Sequence, residues 1–295
     1  NDKNENLPIN YSAYKIIVTG LKGGHSGIDI ILGRGNSNKI MNRLLWNCAR
    51  DYKLRIATVE GGNLRNAIPR EAVATVAVPN ALETDFNNFV KNYFIIVKNE
   101  LGNKEPDFNI EIQKTDTPSN VMDLVSQAAF LNAVYSCPNG VMGMIADMPS
   151  VVETSTNLAI VSIKDEIAEI ISLQRSSVDS LRDDVCNMMR SAFELAGAEV
   201  EHSGAYPGWK PNVDSSILKT AKKVYSDKFG KMPEIKVIHA GLECGLIGDV
   251  YPNMEMMSFG PTIRHPHSPD EKVNIPSVEK FWTFLLEILK NIPAK

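Results

Sequence analysis

The chain has 295 residues, 43% hydrophobic and 22% charged, with 31 basic against 35 acidic side chains and a net charge of -4. This is the composition of a soluble globular protein long enough for about two domains; it holds no apolar run of the roughly 18 to 20 residues that span a bilayer and no net positive charge to draw nucleic acid. Cys48, Cys137, Cys186 and Cys244 form no C-x-x-C pair, which argues against a disulfide framework or a thiolate zinc site and fits a cytoplasmic protein.

Residues 1–12 are polar, lack both an apolar leader core and an initiator Met, and read as a frayed lead-in to a chain that has lost its beginning. A β-branched strand at Tyr14–Thr19 then runs into Gly20–Gly27, too glycine-rich for helix or strand. Asn36 or Ser37 caps a helix whose apolar face is Ile40, Met41, Leu44, Leu45 and Cys48. Leu54–Val59 and Ala72–Val78 are strands. Leu82–Leu101 is a helix with Phe86, Phe89, Val90, Phe94 and Val97 inward, and Asp107–Gln113 alternates as a strand does. The order β-α-β-β-α-β is the ferredoxin-like split unit. Helix at Val121–Tyr135, strands at Thr156–Ile163 and Glu166–Leu173, helix at Ser180–Ala196 and a short strand at Ala198–Ser203 suggest a second copy, hence a double ferredoxin-like α+β domain. Two prolines and a glycine in Tyr206–Asn212 mark a boundary. Beyond it come a helix at Ser215–Phe229, strands at Ile235–His239 and Met254–Phe259, and a closing helix. Asn274 or Ser277 caps that helix, and Val278, Phe281, Trp282, Leu285, Ile288 and Leu289 form its apolar face. That alternation belongs to an α/β layer, yet about 90 residues with so few strands make a poor α/β domain by themselves.

Several segments carry chemistry by residue type, and each has a plainer reading beside it. His267, in the loop Gly260–Glu271, is either a metal ligand or part of a polar surface loop. His239–Gly245, with Glu243, either lines a pocket or makes a tight strand-to-helix turn. Glycines around His25 free the backbone to place an imidazole, and the phosphate-loop spacings are absent. Gly61–Pro69 offers amide and guanidinium donors, Asn66 among them, to an oxygen-rich ligand. Arg175 or Arg182 can clamp a carboxylate or stand solvated at the surface. No H-x-D, Glu-Glu, H-E-x-x-H or G-x-S-x-G is present, so the chain shows no general base beside a metal cage.

Taken together, Gly20–Gly27, Gly61–Arg70, Gln174–Arg182, Gly204–Pro211, His239–Gly245 and Gly260–Lys272 resemble the aminoacyl-histidine dipeptidases. These are carnosinase-like members of a di-zinc metallopeptidase family that also includes aminoacylases and glutamate carboxypeptidases. The resemblance implies that residues 13–206 are a lid and dimerisation domain. It makes residues 207–295 the C-terminal part of an α/β catalytic domain, with the N-terminal part of that domain missing. It further implies two zinc ions per complete site, replaceable by cobalt or manganese, with His267 as the one ligand present. His25 would reach across a homodimer to the scissile carbonyl, alongside Asn66. Arg175 would hold the substrate carboxylate, and Gly241 and Glu243 would line the substrate end. The implied activity is metal-dependent hydrolysis of unblocked dipeptides such as Xaa-His in the cytoplasm, with no nucleic-acid or membrane partner. The alternatives are an aminoacylase or carboxypeptidase using the same chemistry or, for this chain alone, a non-catalytic lid and dimerisation module.

Overall fold

The computed structural model describes residues 4–146, 148–164, 167–205, 209, 212, 214–235, 243–264 and 271–292. The chain divides into two compact units at residues 205–206.

In chain order the first unit contains β1 (Asn4–Asn6), β2 (Tyr11–Thr19), β3 (Gly24–His25), α1 (Ser37–Asp51), β4 (Arg55–Gly61), β5 (Ala67–Ile68), β6 (Ala72–Pro79) and α2 (Glu83–Leu101). There follow β7 (Asn109–Thr115), β8 (Asn120–Met122), α3 (Leu124–Ser136), β9 (Gly140–Ile145), β10 (Met148–Lys164), β11 (Ile167–Ser176) and α4 (Asp179–Glu194). Six strands lie in the order β11-β10-β4-β6-β2-β7, with β9 also on β10, in a seven-stranded antiparallel sheet. The sub-order β4-β6-β2-β7, with α1 and α2 as its crossovers, is one complete ferredoxin-like unit, as its β-α-β-β-α-β pattern requires.

Alternation along β2 shows which face is covered. Tyr14, Ile16 and Val18 are buried and Lys15 is exposed. The buried residues join one core with Met41, Leu44, Leu45 and Cys48 of α1, Phe86, Val90, Tyr93 and Val97 of α2, Phe130 and Leu131 of α3, and Met189 and Phe193 of α4. Helix starts are set by side chains that satisfy otherwise unpaired amides: Asn36 accepts from Asn38 and Lys39, and Asp123 accepts from Val125 and Ser126.

Three expectations are corrected. Residues 4–6 are not frayed: β1 pairs with β8, and Glu5 meets the buried guanidinium of Arg55 at 2.6 Å. The second ferredoxin-like copy is incomplete, because residues 198–203 form no strand and the polar, largely exposed run from Glu199 to Ser203 has no ladder to join. In its place β9 pairs with Thr154–Thr156 of β10, while Val161–Ile163 further along β10 pair with β4. Tyr93, unforeseen in the α2 face, is buried and its hydroxyl donates to the Ile40 carbonyl at 2.8 Å.

The second unit holds α5 (Ser216–Phe229), α6 (Glu243–Val250), β12 (Ile263–Arg264), β13 (Lys272–Val273) and α7 (Ile275–Lys290). Ser215 and Asn274 cap α5 and α7. Ala221 and Val224 of α5 are buried with Phe284 and Ile288 of α7, and the rings of Tyr225, Phe229 and Phe259 surround Phe284. The α7 face therefore differs from the expected one. It is centred on Phe284, and Val278, Trp282 and Leu289 are exposed because no described residue covers them. Met254–Phe259 is not a strand, having no ladder partner among the described residues. The strand expected at 235–239 falls almost wholly outside the described residues.

Candidate functional site

His25 stands in the two-residue strand β3, which pairs with β5 in the register Gly24↔Ile68 and His25↔Ala67. Only glycine serves before it: Gly24 has φ +137°, and a Cβ there would come within 2.6 Å of both Asp29 Oδ2 and Arg34 Nη1. The imidazole is oriented by main chain. The amides of Gly27 and Ile28 both donate to His25 Nδ1 at 3.1 Å. Nδ1 is thus the acceptor, and in the neutral ring the proton sits on Nε2. The His25 amide donates to Asp29 Oδ2 at 2.8 Å, and the Asp29 amide donates back to the His25 carbonyl at 2.9 Å.

Asn66 lies next to this strand pair, its carbonyl accepting from the Ser26 amide at 2.8 Å. The loop that delivers it starts at Gly62, where φ is +73° and a Cβ would lie 1.8 Å from the Ala159 carbonyl oxygen on β10. A side chain there would drive the loop off the sheet. His25 and Asn66 are therefore brought together, 41 positions apart in sequence, by one small antiparallel pair.

Asn157, which the sequence reading passed over, fastens that pair to the sheet. It is 1% exposed, and its Nδ2 donates to the Ala67 carbonyl at 2.7 Å. The available signal was a polar run, Thr154-Ser155-Thr156-Asn157, inside a strand; all four residues are buried. Arg175 on β11 faces Ser155 across the ladder. Strand alternation places Arg175, Ser155 and Asn157 on one face of the sheet. Gln174, on the other face, meets Cys186 of α4. Arg175 therefore shares the face away from α4 with the residue that anchors the His25 strand pair. Arg182, the other arginine of this segment, pairs with Asp179 and Asp183 at 2.8 Å each.

Burial raises the pKa of the Cys48, Cys137 and Cys186 thiols, so these three stay protonated and are poor nucleophiles. Glu243 opens α6 in the second unit. Gly241 and His267 lie outside the described residues. Among the described residues no three His, Cys, Asp or Glu side chains gather as a metal site requires, and no helix is long and apolar enough to cross a membrane.

Residues 16–105, from β2 to the turn after α2, match the family described as Peptidase dimerisation domain. The chain is 44% identical over 291 residues, 99% of its length, to the cytosol non-specific dipeptidase of Escherichia coli (strain K12). Along almost all of its length, this chain resembles a dipeptidase. A solved structure, the aminoacylhistidine dipeptidase of Vibrio alginolyticus, superposes with a TM-score of 0.91 at 44% identity and covers 100% of the chain. The chain spans 60% of the length of each of these relatives.

Proposed function

We propose that this chain forms the substrate-enclosing and dimerising part of a metal-dependent dipeptidase of the cytoplasm, acting on unblocked dipeptides such as Xaa-His. The observation that carries this reading is the extent of the resemblance, 44% identity over 99% of the chain to a dipeptidase. In this reading residues 13–206 are the lid and residues 207–295 belong to the catalytic domain. The enzyme is a homodimer in which the His25 of each subunit completes the other subunit's site.

His25 supplies the oxyanion donor. The imidazole geometry supports this role, because two amides on Nδ1 leave the proton on Nε2, where it can stabilise a developing negative charge. Asn66 adds a polar group beside it. Arg175 takes the substrate carboxylate in a bidentate grip, which restricts cleavage to the bond one residue in. Glu243, with Gly241, receives the substrate ammonium group. His267 is the residue of this chain assigned to the metal, a zinc pair for which cobalt or manganese can substitute. A second reading is that the 295-residue chain alone is a non-catalytic lid and dimerisation module.

The test is a substrate panel assayed on the intact gene product with and without chelator: unblocked dipeptides, N-acetyl amino acids and C-terminally amidated dipeptides. Unblocked free-acid dipeptides should be cleaved and the other two classes spared. Preference for N-acetyl amino acids would instead assign the same machinery to an aminoacylase. Arg175→Lys should raise KM for free-acid dipeptides by about tenfold or more, since an ammonium cannot reproduce the guanidinium fork, and change little for the amides.

A further inference from the structure

The residues that orient His25 do not explain what holds the whole loop in place. Residues 23–34 leave the sheet after β2 and return to the start of α1, and a loop of this length has many conformations to lose. The residues that flank its two ends, Lys22 and Gly35, are bridged by one buried side chain. Glu105 is completely buried. Its Oε2 accepts from the Lys22 amide at 2.8 Å and its Oε1 accepts from the Gly35 amide at 3.0 Å. Neither amide belongs to a helix or strand.

Glu105 is itself firmly seated. Its carbonyl accepts from the Phe108 amide at 3.2 Å, and Phe108, 1% exposed, stacks on Phe94 of α2. The backbone of this turn packs directly on the loop's root, where a Cβ on Gly20 would lie 1.9 Å from the Asp107 carbonyl oxygen. Inside the loop a second carboxylate repeats the pattern on a smaller scale. Asp29 holds the His25 amide and lies 3.8 Å from Arg34, which in turn donates to the Gly23 carbonyl.

We infer that Glu105 is a positioning residue: its buried carboxylate closes the loop 22–35 at the base and so fixes where His25 is presented. The inference rests on the reading that His25 meets the substrate. A carboxylate suits the task and an amide does not. It offers an acceptor oxygen to each amide, whereas a glutamine would turn an NH2 group toward one of them, donor against donor. Burying a carboxylate is costly unless both oxygens are satisfied, so the clamp and its two amides hold or fail together.

Hydrogen exchange and imidazole nitrogen NMR on the 295-residue chain test this directly. In the wild type, the Lys22 and Gly35 amides should be protected about a hundredfold despite lying outside regular structure. Rapid exchange at both would overturn the clamp whether or not any variant folds. Glu105→Gln should speed exchange at these two amides by about tenfold while β2 and β6 stay protected, and should disturb the Nε2–H signature of His25. An unchanged His25 signature in a folded Glu105→Gln chain would overturn the positioning role. In the intact gene product the same substitution should lower kcat about tenfold with KM nearly unchanged. Full activity beside a disturbed His25 signature would leave the clamp standing and overturn the assignment of His25 to the reaction.

Discussion

The two units bury their apolar side chains very differently. In the first, Ile16, Leu44, Leu45, Ile56, Phe86 and Phe108 are each less than 2% exposed, and one continuous core links the sheet to all four helices. In the second, the buried apolar cluster among the described residues is Ala221, Val224, Phe284 and Ile288, while Val250, Tyr251, Ile275, Val278, Trp282 and Leu289 are exposed. Both sequences are amphipathic and both have capped helices. What separates them is layering: the first unit has a sheet broad enough to cover its helices, and the second, among the described residues, packs mainly α5 on α7. Amphipathic helices form readily, but their stability comes from a surface to pack on.

The largest effect should come from separating the units. Residues 1–205 expressed alone should keep a cooperative thermal transition by circular dichroism close to that of the whole chain, and residues 206–295 alone should show none, because about 90 residues with so few strands make a poor α/β domain by themselves. A sharp transition in the second piece would break the comparison.

Single truncations sharpen it. Phe86→Ala removes a fully buried ring packed 5.5 Å from that of Tyr14. It should cost about 3–5 kcal/mol, lowering the melting midpoint by roughly 10 °C. Phe284→Ala, the matching lesion in the second unit, should leave that transition in place and abolish only the amide protection of α5 and α7, as hydrogen exchange would show.

The smallest effect is the pH dependence that Glu83 contributes to the first unit. Glu83 has its pKa lowered, chiefly by the hydrogen bond it accepts from the Tyr14 hydroxyl and then by Lys114. A depressed carboxyl pKa gives stability that is present above the ordinary value of 4.5 and lost as the pH falls through the folded-state value. Tyr14 is shifted upward, first by burial and then by Glu83, so its contribution is lost only as the pH rises past 10. The melting midpoint of the chain should therefore fall on acidification below 4.5 more steeply than that of Glu83→Gln. Parallel acid limbs for the two proteins would show that the pair contributes nothing.

Local patterning was legible wherever the local rule also satisfied the tertiary fold. The apolar spacing Met41, Leu44, Leu45 and Cys48 located the buried face of α1, and the cap pairs Asn36 or Ser37 and Asn274 or Ser277 each contained the cap that forms, Asn36 and Asn274, because these depend on neighbours within a turn or two. The glycines near His25 and Asn66 were legible as special positions for the same reason: positive φ belongs to the residue itself. Met254–Phe259 has strand-like composition but forms no strand, having no ladder partner among the described residues. The face of α7 was legible only in part: Ile288 is buried as expected, but several apolar residues encircle the helix, and only its contact with α5 adds Phe284 and leaves Val278, Trp282 and Leu289 exposed. Asn157 and Glu105 were invisible for a related reason. Each acts on backbone groups roughly 70 to 90 positions away, Glu105 on the Lys22 and Gly35 amides and Asn157 on the Ala67 carbonyl. Composition and spacing determined which residues of this protein could carry chemistry; the sheet, by closing long loops onto one face, decided which of them stand together, because sequence spacing places no constraint on contacts that far apart.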